Sequence, residues 1–415
     1  MTTVVVVFVL VYLGMLLGGL PFLQLDRTGI ALLGTIALLV SESITEVEAG
    51  RAVHRPTLIL LFSFMVVAAQ LRLGGFYDWA TWKLGAQRIS PAGLLAALIV
   101  LVGLLAAVFS NDVVCLSIAP VLVDVCQLRR LDPVPYLLGL ACAANIGSAA
   151  TLIGNPQNML IGERLELVFS DYLREAAIPV MAGLAVTWLL IAWRWRGRWE
   201  APAAGVAGSM ADAASAGRSA HVLDRWQALK GLGVAAAMFG LFLLTDWPRE
   251  MVALGGAGLL LLSRRLHSRR MLGLVDWQVL LLFVGLFIVN AAFGRTGLPE
   301  RAVAELAAGG IDLRNPAILF GTTFLLSNLV SNVPAIMLLL PVATPRDGAL
   351  LALSSTLAGN LLVVGGIANI IVMDAASRRG VAITWREHAR LGVPVTLLSL
   401  SISAWMLLMD RMPLG

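Results

Sequence analysis

Charge is scarce in this chain. Of its 415 residues, 30 are Lys or Arg and 25 are Asp or Glu, so charged side chains make up 13% against 59% hydrophobic ones. Soluble domains carry about 25% charged residues, and the mean hydropathy of +0.87 excludes an ordinary soluble fold. Chemistry-bearing residues are also few. The four histidines, His54, His221, His267 and His388, all fall in polar segments, which leaves no buried Ser-His pair for an intramembrane serine protease. Asp112 alone among the acids lies deep in an apolar stretch, whereas an aspartyl protease needs two. No Gly-x-x-x-x-Gly-Lys-Ser/Thr motif occurs, so ATP-driven chemistry within the chain is not expected. An enzyme is therefore not expected either. The three cysteines, Cys115, Cys126 and Cys142, sit in apolar stretches and read as reduced small hydrophobes. Period-2 patterning is missing, which argues against a membrane barrel. Residues 1–20 lack a basic leading region and a clear cleavage site, so they read as a retained first span.

What the chain does have is a series of apolar runs, about 17–20 residues at their longest, the length of membrane-spanning helices. Spans are expected at 4–20, 28–40, 57–71, 136–161 and 178–193, then at 232–244, 251–262, 279–292, 350–373 and 391–409. Residues 76–88, with Trp79, Trp82, Lys83 and Arg88, suit an interfacial amphipathic helix. The stretch 196–227 is rich in Ala, Gly and Ser and reads as a flexible cytoplasmic linker.

The two halves repeat. Leu58-Ile59-Leu60-Leu61-Phe62 matches Val279-Leu280-Leu281-Leu282-Phe283, and Ser110-Asn111 matches Ser331-Asn332 at the same offset. Thr151-Leu152-Ile153-Gly154 and Asn158 match Leu362-Val363-Val364-Gly365 and Asn369 at a second constant offset. The expected fold is an all-α polytopic membrane protein. It has two inverted repeats, each of about five transmembrane helices plus one re-entrant helical hairpin, with discontinuous helices. The first repeat covers 1–195 (scaffold spans 1–73, interfacial helix 76–88, hairpin and broken helix 91–193). The second covers 228–415 (scaffold spans 228–293, interfacial helix 299–309, hairpin and broken helix 315–410). Arg264, Arg265, Arg269 and Arg270 place the 263–270 loop in the cytoplasm.

Polar residues break the apolar runs once per hairpin, at Ser110-Asn111-Asp112 and at Ser331-Asn332-Val333. Helix ends inside a membrane expose unpaired backbone groups, tolerated only where they line a cavity or bind something. The helix that starts after each tip offers N–H groups and a positive dipole end to an anion. Ser110, Asn111, Ser331 and Asn332 are good helix caps, and Pro334 suits a first helical turn. Asp112 costs about 2.5–3.5 kcal/mol at mid-membrane on insertion scales, which makes it a candidate proton carrier or cation ligand. Asp124 is expected near the interface and Asp374 in solvent.

At these motifs, together with Gly154-Asn155-Pro156-Gln157-Asn158 and Gly359-Asn360, the chain resembles the ion transporter superfamily over nearly its whole length. That group holds arsenite permeases, divalent anion/sodium symporters and certain sodium/proton antiporters, and the resemblance is to its bacterial anion permease branch. It implies a substrate site from Ser110, Asn111, Thr151, Gly154, Asn155, Asn158, Ser331, Asn332, Asn360, Gly365 and Asn369, with coupling at Asp112. The symporters carry Ser-Asn-Thr at both tips; here Asp112 and Val333 replace threonine. The implied activity is secondary transport of a small inorganic or organic anion across the bacterial inner membrane by an elevator motion. Arsenite efflux and sodium/proton antiport are the alternatives. Expected partners are that anion, H+ or Na+ as coupling ion, and the bilayer. Na+ would sit near Ser110, Asn111, Ser331 and Asn332; no other metal, organic cofactor or nucleic acid is expected. A homodimer is compatible with the fold.

Overall fold

The computed structural model describes residues 1–18, 24–200 and 223–409. Most of the expected linker thus lies outside the described residues. Among those residues the chain is helical, with no β-strand beyond isolated bridges such as Leu131 with Glu200.

The first half runs α1 (Thr2–Leu17), α2 (Arg27–Val40), α3 (Glu46–Ala52), α4 (Arg55–Leu73), α5 (Phe76–Gly85), α6 (Pro91–Val108), α7 (Asn111–Leu128), α8 (Pro133–Ser148), α9 (Pro156–Arg164) and α10 (Phe169–Arg194). The second repeats that order: α11 (Arg225–Leu244), α12 (Arg249–Leu261), α13 (Ser268–Leu272), α14 (Trp277–Gly294), α15 (Leu298–Ala308), α16 (Pro316–Val330), α17 (Asn332–Leu339), α18 (Gly348–Ala358), α19 (Ile367–Ser377) and α20 (Trp385–Met409). Seven of the described helices are long and apolar enough to cross a membrane: α4, α6, α7, α10, α11, α14 and α20. The protein is a multi-pass membrane protein with two inverted repeats.

Several helices are longer than their apolar runs, because polar residues cap them beyond the run. Asp224 accepts from the backbone of Trp226 and Gln227, so α11 begins inside the stretch expected as linker. Thr384 and Glu387 exchange hydrogen bonds at the start of α20. This draws His388 into the first turn of a spanning helix, where it is buried, rather than leaving it in a polar loop. The expected loop at 41–56 contains α3, because Thr45 and Glu48 form a capping box. Asp124 is buried, in an ion pair with Arg379. Asp374 is exposed, as expected, and pairs with Arg378 at 2.9 Å.

Helices α2 and α4 of the first half pack on α14 and α12 of the second. Glycine permits the close approach: a Cβ on Gly285 would sit 2.9 Å from the Cβ of Ala31. A buried amide pair, Gln70 to Gln227 at 2.7 Å, ties α4 to α11. A second group gathers the hairpins and broken helices. Within it α6 lies on α8, α7 on α8 and α19, α16 on α18, and α10 on α20. Gly103 and Gly147 let α6 and α8 touch backbone to backbone. The arm helices differ. Tyr77, Ala80 and Thr81 of α5 are buried, while α15 buries no residue, as suits a helix lying at the interface.

Candidate functional site

Each hairpin turns at its polar tip. Arms α6 and α7 meet at Phe109 and Ser110, and α7 begins at Asn111, which puts Asp112 in its first turn. Arms α16 and α17 meet at Ser331, with Asn332 opening α17. Neither serine caps its helix through the side chain. Ser331 has φ 79°, a conformation that favours glycine and costs a serine about 1–3 kcal/mol. Such strain is stored where the surroundings force it.

The broken helices complete the site. Asn155 caps α9 by accepting from the Asn158 N–H at 2.8 Å. The Asn158 amide donates to the carbonyls of Ser148 and Thr151. In the other half, the Asn369 amide donates to the carbonyls of Gly359 and Leu362. The sequence offset between the halves therefore persists at the level of single hydrogen bonds. Both asparagines satisfy the unwound turn that interrupts their helix. Gly154 belongs to the same turn; a Cβ there would lie 2.3 Å from the Ser148 carbonyl oxygen.

Reciprocal bonds join the two breaks. Asn145 accepts from the Asn111 amide at 3.1 Å and donates to Asn360 at 2.8 Å and Asn369 at 3.2 Å. Its repeat counterpart, Thr356, accepts from Asn155 and Gln157 and donates to Asn158, each at 3.3 Å. Each half thus holds the other's break. Two acceptors are left over at the tips. Among the described residues, Asn111 Oδ1 and Asn332 Oδ1 are buried without a hydrogen-bond partner.

A cavity of about 90 Å³ lies between these elements. At ~30 Å³ per water in the liquid it has room for about three water-sized groups. Asn111, Asp112, Ser331, Asn332 and Gly365 of the expected site line it. Ser110, Thr151, Gly154, Asn155, Asn158, Asn360 and Asn369 stand outside that lining and hold the elements that form it. The wall also includes residues outside the expected site: Arg27 at the start of α2, Asn145, Gln157 and Phe283. Asn145 and Gln157 lay within or beside the polar run at the first break, and the signal that could have found them is that run's length. Arg27 lies one residue before the expected 28–40 span and carried no motif of its own. Among the described residues neither Arg27 nor Asp112 has a salt-bridge partner.

Two discontinuous helices and two hairpins meet around one cavity, in inverted repeats, the arrangement of a membrane transporter. The model of the citrate transporter family matches residues 5–349, and the chain belongs to that family. It is similar to a 46 kDa membrane protein of Mycobacterium leprae, 29% identical over 91% of each chain. It is also similar to a silicon efflux transporter of Oryza sativa subsp. japonica, 28% identical over 92% of each. Among solved structures it shares its fold with the YdaH transporter of Alcanivorax borkumensis (TM-score 0.61, 15% identity, 99% and 98% of the two chains covered). Family and relatives are transporters, not enzymes.

Proposed function

We propose that this protein is a secondary active transporter of a small inorganic or organic anion across the bacterial plasma membrane, coupled to a proton or sodium gradient. The reading rests on one observation: a single cavity gathers both hairpin tips, both helix breaks and the unpaired guanidinium of Arg27. Arg27 supplies a planar charge suited to carboxylate or oxyanion. The start of α17, with no acid in its first turn, adds the positive end of a helix dipole. The orphan oxygens of Asn111 and Asn332 suit a bound cation such as Na+, the role that unwound-helix carbonyls fill in carriers. The residues expected from the motifs then divide the work, some facing the anion and the rest shaping the breaks. The α2, α4, α12 and α14 group is the natural scaffold, and the hairpin group the part that moves in an elevator motion.

Flux in proteoliposomes tests this, with citrate first, then succinate, sulfate, phosphate and arsenite, under a sodium gradient and under a proton gradient. Accumulation of one anion under one gradient supports the reading and identifies the coupling ion. The unpaired Asp112 favours a second reading, sodium/proton exchange. Sodium-dependent proton movement without anion flux selects that reading; movement of neither sinks both.

A further inference from the structure

A second, larger cavity of about 490 Å³ lies away from the carrier site. Three elements run from one cavity to the other. On α14 the site is lined by Val279, Leu282 and Phe283, and the second cavity by Phe287, Asn290 and Ala291. On α17 the lining passes from Asn332 to Met337, and on α9 from Pro156 to Leu160 and Arg164. From Val279 to Asn290 the helical rise amounts to roughly 16 Å. The two cavities therefore open toward opposite ends of α14, and the second lies on the face away from the 263–270 loop. Two contacts lie along α14 at this level. Tyr12 donates to Asn290 at 2.9 Å, and Phe283 and Phe287 pack with ring centroids 5.9 Å apart.

Arg51 and Arg164 line this second cavity. Two carboxylates close to them in the chain are already engaged. Glu48 pairs with Arg295 at 2.7 Å, and Glu163 pairs with Arg249 at 3.0 Å. Among the described residues neither Arg51 nor Arg164 makes a salt bridge. Arg164 stands over the Phe287 ring, 5.9 Å from its centroid, which fixes the guanidinium at the cavity wall. Nearby His54 adds no charge at neutral pH. Burial first and the Arg164 charge second push its pKa down to about 4.

We infer that this cavity is an anion vestibule, in which Arg51 and Arg164 gather small soluble carboxylates or oxyanions farther along α14 than the first cavity. Clefts lined by one sign of charge raise the local concentration of counter-ions by 10-fold or more. The inference goes beyond the carrier reading and does not depend on it.

The test reads electrostatic potential directly and needs no transport. Cys115, Cys126 and Cys142 are buried, so a cysteine introduced by Ala291→Cys, on the cavity wall, can be labelled selectively. Its rates with a sulfonate-bearing and a trimethylammonium-bearing methanethiosulfonate are each normalised to a small free thiol. The normalised anion-to-cation ratio should exceed one, and fall roughly tenfold when Arg51→Gln and Arg164→Gln are combined. In nanodiscs of zwitterionic lipid, citrate or sulfate should slow labelling of the Arg51/Arg164 protein but not of the double variant. If the double variant fails to fold, each single variant should carry part of the drop. A ratio unchanged by the arginine substitutions overturns the inference. So does slowing that requires phosphatidylglycerol discs and no added anion, since the occupant is then a lipid headgroup. A positive vestibule in a protein that moves no anion would refute the carrier reading and leave the vestibule standing.

Discussion

The two hairpin tips occupy matching places in the repeat, yet they are chemically unlike. The first carries Asp112 in the opening turn of an 18-residue helix, and its Asn111 amide is held by Asn145. The second carries Val333, opens a helix of 8 residues that gives way to a 3-10 turn at Pro341, and forces Ser331 to φ 79°. Negative charge in a helix's first turn satisfies that helix's own dipole. The first turn of α7 therefore carries the protein's own carboxylate, while that of α17 carries none. A pseudosymmetric frame thus yields one tip with a carboxylate in its first turn and one without.

The largest expected effect comes from erasing this difference. Asp112→Asn should reduce pH-driven flux by roughly tenfold or more, as loss of a charged contact worth ~1.5–3 kcal/mol would, while leaving substrate exchange measurable. Val333→Thr restores a hydroxyl at the other tip and should alter substrate KM without changing which gradient drives uptake. Equal responses to pH and substrate at both tips would dissolve the proposed division of labour.

Next comes the frame that carries the tips. A Cβ on Gly147 would fall 2.5 Å from the Gly103 Cα, against backbone that cannot rotate away. The repeat places Ala358 at the matching position, and there alanine is native. Gly147→Ala should cost about 1–3 kcal/mol by overpacking, read as a lowered melting temperature in detergent. A melting temperature equal to wild type would mean that α6 and α8 are farther apart than the structure places them. The reciprocal bonds should be unequal as well. Asn145→Ala strands polar groups in both halves and should cost about 1–3 kcal/mol. Thr356→Val, which removes longer bonds, should cost less. The reverse order would contradict the geometry.

Much of this was legible in the sequence. A polar tripeptide inside an apolar run cannot be hidden in lipid, so Ser110-Asn111-Asp112 and Ser331-Asn332-Val333 announced themselves, and the repeat paired them. The pairing of Asn158 with Asn369 survives as matching bonds to matching carbonyls. Arg27 was not legible. Its place in the cavity depends on how α2 packs against α14, a contact between residues remote in sequence. The helix starts at Arg225 and Trp385 were missed for a local reason: capping by Asp224 and Thr384 extends a helix past the last apolar residue. His388 went with them, since hydropathy alone assigns it to a loop.

The smallest effect tests the backbone difference itself. Ser331 adopts positive φ and its side chain makes no capping bond, so the strain that glycine relieves there outweighs the freedom it adds to the unfolded chain. Ser110 sits at φ −51°, where serine is at ease and glycine only adds freedom to the unfolded chain. Ser331→Gly should therefore stabilise the protein by about 1 kcal/mol, and Ser110→Gly should destabilise it by about 0.5–1 kcal/mol. Opposite shifts in melting temperature would confirm that the tips differ in backbone as well as charge. If Ser331→Gly stabilises the fold yet slows transport, the strain serves the mechanism, because a tip held under tension by its surroundings releases when they change. If it stabilises without slowing transport, the strain is only the consequence of fitting a serine into a turn shaped for the cavity.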